Sequence, residues 1–364
     1  MYRSSAFGWG EITVKIKYFL FAIIFLTLCG CGFFGNESSK YEIIYNGEAN
    51  NHKQAAKNNT TKKNEQYTIA LVPKIEGIPY FKAVKEGALE AGRDIGVNII
   101  YKGPSSASWL EQALVIEELI EENVDCIAVA ADDPLKLGGV LQKASNRGIK
   151  VITWDADTDP EFRSFFINMV DPEILGRHVL DLLAWEVNEQ GEYAIMTGSS
   201  TAANLNEWIK WIGIHKMENY PQMKLVEVVP TNEDPHKAYM AAQNLLEKHP
   251  NLKGIIGVST LNPPAAAQAV KDAGKTGEIK VVGVSSPSQM KAFLLEGDAQ
   301  WITLWSPQKL GYLTVSLAHN LLNDEMPYDG QQVPNIGAIK FDGDMVIMGR
   351  PIDFTKENVD QYDF

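Results

Sequence analysis

Three aspartates in five residues, Asp155, Asp157 and Asp159, follow directly on the apolar run Ile152–Trp154. Carboxylates spaced this closely can ligate a cation, divide general-acid and general-base roles, or accept hydrogen bonds from a hydroxyl-rich ligand. A helix-loop-helix calcium loop starting at Asp155 needs glycine at its sixth position and glutamate at its twelfth. Pro160 and Phe166 stand there, so no such loop is expected. Asp155 is the first polar residue after a buried strand, which predicts a carboxylate at the carboxyl edge of a sheet. Its oxygens can accept two hydroxyl donors at roughly 1.5–3 kcal/mol each. Asp157 and Asp159 are read as solvated turn residues.

Other strand ends offer matching chemistry. Lys74 ends the run "LVPK" and can donate to a carbonyl or hydroxyl oxygen. Tyr80 and Phe81 follow it and can stack on a sugar face or pack at a helix start. Trp305 closes "WITLW" at the same edge, whereas Trp208 and Trp211 fall on a helix and are read as packing. Enzyme signatures are missing. There is no G-x-G-x-x-G after the first strand, no phosphate-binding P-loop, and the serine cluster Thr197–Ala202 lacks a G-x-S-x-G elbow. The six histidines show no metal-ligand spacing. No catalytic residue, metal or cofactor is expected.

These residues need a scaffold, and the pattern from Tyr67 onward supplies one. Short apolar runs such as "YTIALVP", "DCIAVAA" and "IKVITW" alternate with amphipathic stretches of helical period. In "YFKAVKEGALEAGRDIG", Phe81, Val84, Ala88 and Ala91 share one helical face. Pro134 is predicted near the start of a helix that ends before Gly148. A second βα series follows Pro172, and the tail from Gly337 is predicted as two short strands and a terminal segment. Right-handed βαβ units of this number predict an α/β fold of two doubly wound parallel-sheet lobes. Their ligand crevice lies at the carboxyl ends of the strands. The lobes are expected at 67–168 with 306–333, and at 169–305 with 334–364, with a break near Asn168–Glu173.

The N-terminus reads differently. Lys15 and Lys17 precede eleven apolar residues, Tyr18–Leu28, too few to span a bilayer but suited to a signal peptide. The following "LCGC" resembles a bacterial lipoprotein signal, which implies cleavage after residue 30 and a lipid on Cys31. Residues 31–66, rich in Asn and Lys, are read as a tether with an r.m.s. span of about 30 Å. Cys126 is left as a single thiol, so no disulfide framework is expected. A net charge of -13 and no dense basic stretch in the folded part argue against nucleic acid.

The segments "IALVPKIEGIPYFKAVKEGALEAGRDIGVNIIYKGP", "VITWDADTDPEFRSFFIN", "NPPAAAQA" and "FTKENVDQYDF" together resemble the autoinducer-2-binding solute receptors of Lsr-type ABC importers, within the ribose- and rhamnose-binding clan. The resemblance covers nearly all of Tyr67–Phe364. It implies a periplasmic-binding-protein type I fold with three hinge crossings that closes on a small furanose-like ligand, and an importer permease as partner. It also implies an extracytoplasmic monomer, lipid-anchored to the bacterial membrane. Ligand contacts carried over from the family fall on Lys74, Asp155, Pro264 and Ala266. The family's Asp-Gln pair is replaced by Asn204 and Leu205. Asn204 keeps an acceptor without charge, and Leu205 offers no hydrogen bond, a departure that costs roughly 1–3 kcal/mol for a buried unpaired hydroxyl. Phe81 and Trp305 complete the expected site. A receptor for rhamnose or pentoses, and a ligand sensor for a membrane kinase or chemoreceptor, share this fold.

Overall fold

The computed structural model describes residues 66–364. The signal segment 1–30, Cys31 and all but the last residue of the tether lie outside it. In chain order the first lobe is built from β1 (Thr68–Val72), α1 (Pro79–Ile95), β2 (Asn98–Tyr101), α2 (Trp109–Glu121), β3 (Cys126–Val129), α3 (Gly138–Asn146), β4 (Lys150–Trp154) and β5 (Phe166–Val170). The second follows as α4 (Pro172–Glu186), β6 (Gly191–Thr197), α5 (Ala203–Asn219), β7 (Met223–Pro230), α6 (Pro235–Lys248), β8 (Leu252–Gly257), α7 (Asn262–Asp272), β9 (Lys280–Val284), α8 (Pro287–Glu296) and β10 (Trp301–Leu304). Then come α9 (Pro307–Leu322) and the short strands β11 (Gln332–Val333), β12 (Gly337–Ala338), β13 (Lys340–Asp342), β14 (Met345–Gly349) and β15 (Ile352–Phe354).

Two sheets carry the fold, in the orders β13-β14-β5-β4-β3-β1-β2 and β15-β10-β9-β8-β6-β7. Their central strands pair in parallel and are buried on both faces, which is why they read as unbroken apolar runs rather than alternating ones. The chain passes between lobes at three places. After β5, Asp171 caps α4 by accepting from the Glu173 and Ile174 amides, and α4 packs on the second sheet. After β10, α9 returns to pack on α1. After β14, β15 pairs antiparallel with β10.

The assignment of 334–364 to the second lobe is therefore corrected for Lys340–Gly349. β14 pairs with β5, and β13 with β14, so this stretch finishes the first sheet. The tail also holds more strands than the weak alternation suggested, because each is short, and β14 and β15 pair with the distant β5 and β10. Pro134 does not start a helix. The Asp133 carboxylate accepts from the Leu135 and Lys136 amides and holds a turn there, and α3 begins only at Gly138.

α1 and α9 meet at backbone distance. A Cβ on Gly87 would lie 1.9 Å from the Gln308 carbonyl oxygen, and one on Gly311 would lie 2.0 Å from that of Val84. Gly311→Ala must push the helices apart, so a loss of about 1–3 kcal/mol is expected. The reading is a lower urea midpoint at constant m-value; an unmoved midpoint would mean that the contact yields freely.

Candidate functional site

The carboxyl ends of both sheets face one cleft. β1 runs out at Val72 and β4 at Trp154, adjacent in the first sheet through β3, which brings Lys74 and Asp155 together. The Lys74 Nζ lies 2.9 Å from Asp155 Oδ2, with the two residues only 5% and 3% exposed. Asp155 adopts φ 62°, the left-handed region that aspartate tolerates better than most residues. Its amide donates to the Ile167 carbonyl at 3.1 Å, which fixes the turn against β5. The other carboxylate oxygen accepts from the Tyr80 hydroxyl at 2.8 Å, and that hydroxyl accepts from Trp305 Nε1 at 3.0 Å. A chain of donors thus runs from Trp305 through Tyr80 to Asp155. Phe81 packs edge-on to Trp154 and Tyr80 beneath it.

The electrostatics follow from enclosure. Burial by itself lowers the Lys74 pKa, but Asp155, then Glu233 and Asp132, outweigh it and hold the ammonium above its usual range. Burial, reinforced by the Asp155 charge, pushes the Tyr80 phenol well up, so it remains a donor.

The second lobe supplies the opposite wall. Asn204, Leu205 and Trp208 come from the first turns of α5, Glu233 from the β7–α6 connection, Val258, Ser259 and Thr260 from the end of β8, and Val284 from β9. With Lys74, Tyr80, Phe81, Asp155 and Trp305 they line a cavity of about 350 Å³, mouth included, at the small end for a ligand site. Two buried polar atoms on this wall have no protein partner among the described residues: Asn204 Oδ1 and Trp208 Nε1. Buried polar groups are almost always paired, so these two atoms stand out on this wall.

The structure brings six of the eight expected contacts to this cavity: Lys74, Phe81, Asp155, Asn204, Leu205 and Trp305. Pro264 and Ala266 do not line it. Both belong to α7, and Ala266 is 0% exposed within the core. The "PPAAA" run starts a helix, and the cavity is reached instead by the strand end before it, Val258–Thr260. Two other readings change. Asp157 is no solvated turn residue: it accepts from Arg163 Nε at 2.9 Å and Nη2 at 2.7 Å, while Arg163 Nη1 reaches Asp344 at 2.6 Å and ties the turn to the β13–β14 hairpin. Asp159 caps the 3-10 turn Pro160–Phe162 through the Glu161 amide. Trp208, read as packing, lines the cavity edge-on to Trp305. Glu233 was missed altogether. Applying the strand-end rule to "IIGVST" would have found Ser259 and Thr260, but Glu233 gives no such signal. Among the described residues no group of three His, Cys, Asp or Glu could hold a metal ion.

Comparison with known proteins places this geometry. A family model described as a periplasmic binding protein domain matches residues 69–326. The chain is 28% identical over 241 residues to the D-ribose/D-allose-binding protein of Pseudomonas aeruginosa, covering 64% of this chain and 75% of that one. It is 25% identical over 250 residues to the D-allose-binding periplasmic protein of Escherichia coli, covering 66% and 80%. Among solved structures, an ABC transporter solute binding protein from Clostridium phytofermentas with bound L-rhamnose superposes with a TM-score of 0.78 at 27% identity, covering 82% and 98%. LsrB from Clostridium saccharobutylicum in complex with AI-2 gives 0.77 at 24% identity, covering 82% and 100%, a likeness of fold.

Proposed function

Because the chain belongs to the periplasmic binding protein domain family, we propose that it captures a small polyhydroxylated sugar, autoinducer-2 or a close relative, between its lobes and passes it to the permease of an ABC importer. The observation that carries this is the buried Lys74–Asp155 pair lining a cavity whose opposite wall leaves Asn204 Oδ1 unpartnered. A carboxylate oriented by Tyr80 accepts ligand hydroxyls, the ammonium donates to a ring or carbonyl oxygen, and the second lobe closes over both. Ligand that bridges the lobes stabilises the closed form by contacts the open form lacks.

The printed ligands of the relatives, ribose, allose and rhamnose, support a simple sugar. Leu205 puts an apolar side chain in the cavity wall and offers the ligand no hydrogen bond there. An extracytoplasmic place fits the family, and lipid attachment at Cys31 belongs to the same proposal; mass spectrometry of the amino-terminal peptide tests the latter.

Calorimetric titration of the full-length protein, freed of co-purified ligand by partial unfolding and refolding, separates the readings. Micromolar or tighter binding of D-ribose, D-allose or L-rhamnose, with none of autoinducer-2, makes this a sugar receptor. Tight binding of autoinducer-2 makes it a signal importer that tolerates Leu205. Silence with all four sinks the proposal.

A further inference from the structure

Lys74 and Asp155 form one charge pair in the cleft, and Glu233 adds a second acid to the same cavity from the opposite lobe. Its place is built. Asn232 and Glu233 both take left-handed backbone, φ 56° and 52°, a conformation that costs energy in non-glycine residues and persists where the surroundings impose it. The Glu233 amide donates to the Gly198 carbonyl at 3.0 Å, and the Ser259 hydroxyl donates to Glu233 Oε2 at 2.5 Å. Gly198 leaves the room: a Cβ there would lie 1.9 Å from Glu233 Oε1. Asp132, 6% exposed at the end of β3, adds a third carboxylate to the field that acts on Lys74. One ammonium therefore stands in the field of three carboxylates, two of which, Asp155 and Glu233, join it in lining the cavity. Beside it stands the unpartnered acceptor Asn204 Oδ1, nine-tenths buried.

Resting on the reading of this cleft as a polyol site, we infer that Glu233 is a specificity residue: it takes a hydrogen-bond donor of the ligand, favours an amine-bearing sugar over its neutral parent, and rejects sugar acids. Charge-assisted hydrogen bonds are about twice as strong as neutral ones, and an ammonium relieves the uncompensated charge that a hydroxyl only solvates. A carboxylate on the ligand meets like charge across a small, partly desolvated space. Burial raises the Glu233 pKa, with Lys74 and Ser259 opposing, so acidification neutralises this carboxylate before an ordinary one. The preference for amines is then lost as pH falls through that raised value, while Lys74 stays charged.

The test uses full-length wild type, Glu233→Gln and Gly198→Ala. Each is titrated with D-ribose, D-allose, D-glucose and D-galactose, and with the 2-amino-2-deoxy and sugar-acid form of each. For the parent that binds, wild type is expected to take the amine about tenfold more tightly and the acid about a hundredfold more weakly, and Glu233→Gln to bring all three within about threefold. Gly198→Ala, which displaces the carboxylate, is expected to do the same, and equal thermal midpoints guard against misfolding. A wild type without the gradient, or a gradient that survives in Glu233→Gln, overturns the inference and leaves the sugar receptor standing. Failure of every neutral parent overturns the inference, and the receptor reading falls with it only if L-rhamnose and autoinducer-2 are silent as well.

Discussion

Asp155→Ala is expected to abolish sugar binding and to cost the fold about 3–5 kcal/mol, the usual consequence of removing one partner from a buried ion pair. Lys74 would be left in a site where burial lowers its pKa and its largest compensating charge is gone. The Tyr80 hydroxyl would lose its acceptor, and alanine would have to hold a left-handed backbone that aspartate accepts more readily. Asp155→Asn separates charge from shape: it keeps an acceptor and suits the backbone, so it should recover part of the stability but little of the binding. Urea unfolding of both variants beside titration with the sugar bound by wild type checks this. The sign with pH follows from the raised Lys74 pKa. The pair contributes fully below the unfolded value of about 10.4 and is lost as pH rises through the higher folded value. A stability curve for Asp155→Ala that parallels wild type through alkaline pH would contradict the coupling.

Trp305→Ala should be the second large effect. The side chain is 3% exposed, lies edge-on to Tyr80 and Trp208, and donates the hydrogen bond that fixes the Tyr80 hydroxyl. Removing it leaves a cavity costing about 3–5 kcal/mol. Binding should fall by at least a hundredfold, roughly 2.7 kcal/mol, because Tyr80 no longer orients Asp155 and the closed lobes lose a shared wall. Trp305→Phe keeps most of the packing and removes only the N–H, so about a tenfold loss is expected, near the worth of one hydrogen bond. Equal binding by Trp305→Phe and wild type would show that the donor chain through Tyr80 contributes shape alone.

The fold was legible because βα alternation is a local signal: each strand and helix announces itself in a dozen residues. Asp155, Lys74 and Trp305 were legible for a related reason, since the first polar or aromatic residue after a buried run must stand at the sheet edge where a crevice opens. The errors have physical causes. Pro264 and Ala266 sit in a helix whose alanines face the core, and resemblance drew attention there rather than to the strand end just before it. Glu233 is one of four polar residues in "TNEDP", and only the three-dimensional meeting of Gly198, Ser259 and two left-handed residues singles it out. Asp157 looked solvated because its partner Arg163 serves an arginine bridge to Asp344, far along the chain. The tail misled for the same reason: β13 and β14 are too short to declare which sheet they join.

That late arrival of β14 beside β5 governs the order in which the molecule can assemble. β5 is made before the whole second lobe, yet its outer edge stays open until residues 345–349 reach it. During synthesis the first lobe therefore presents a strand that is apolar but for Asn168, with unpaired amides and carbonyls, the template on which chains pair with each other. Long-range closure of this kind is slow, because the loop must be ordered before its contacts form. A chain that ends before Lys340 would retain that edge permanently, so a truncated receptor is an aggregating species rather than half of a working one.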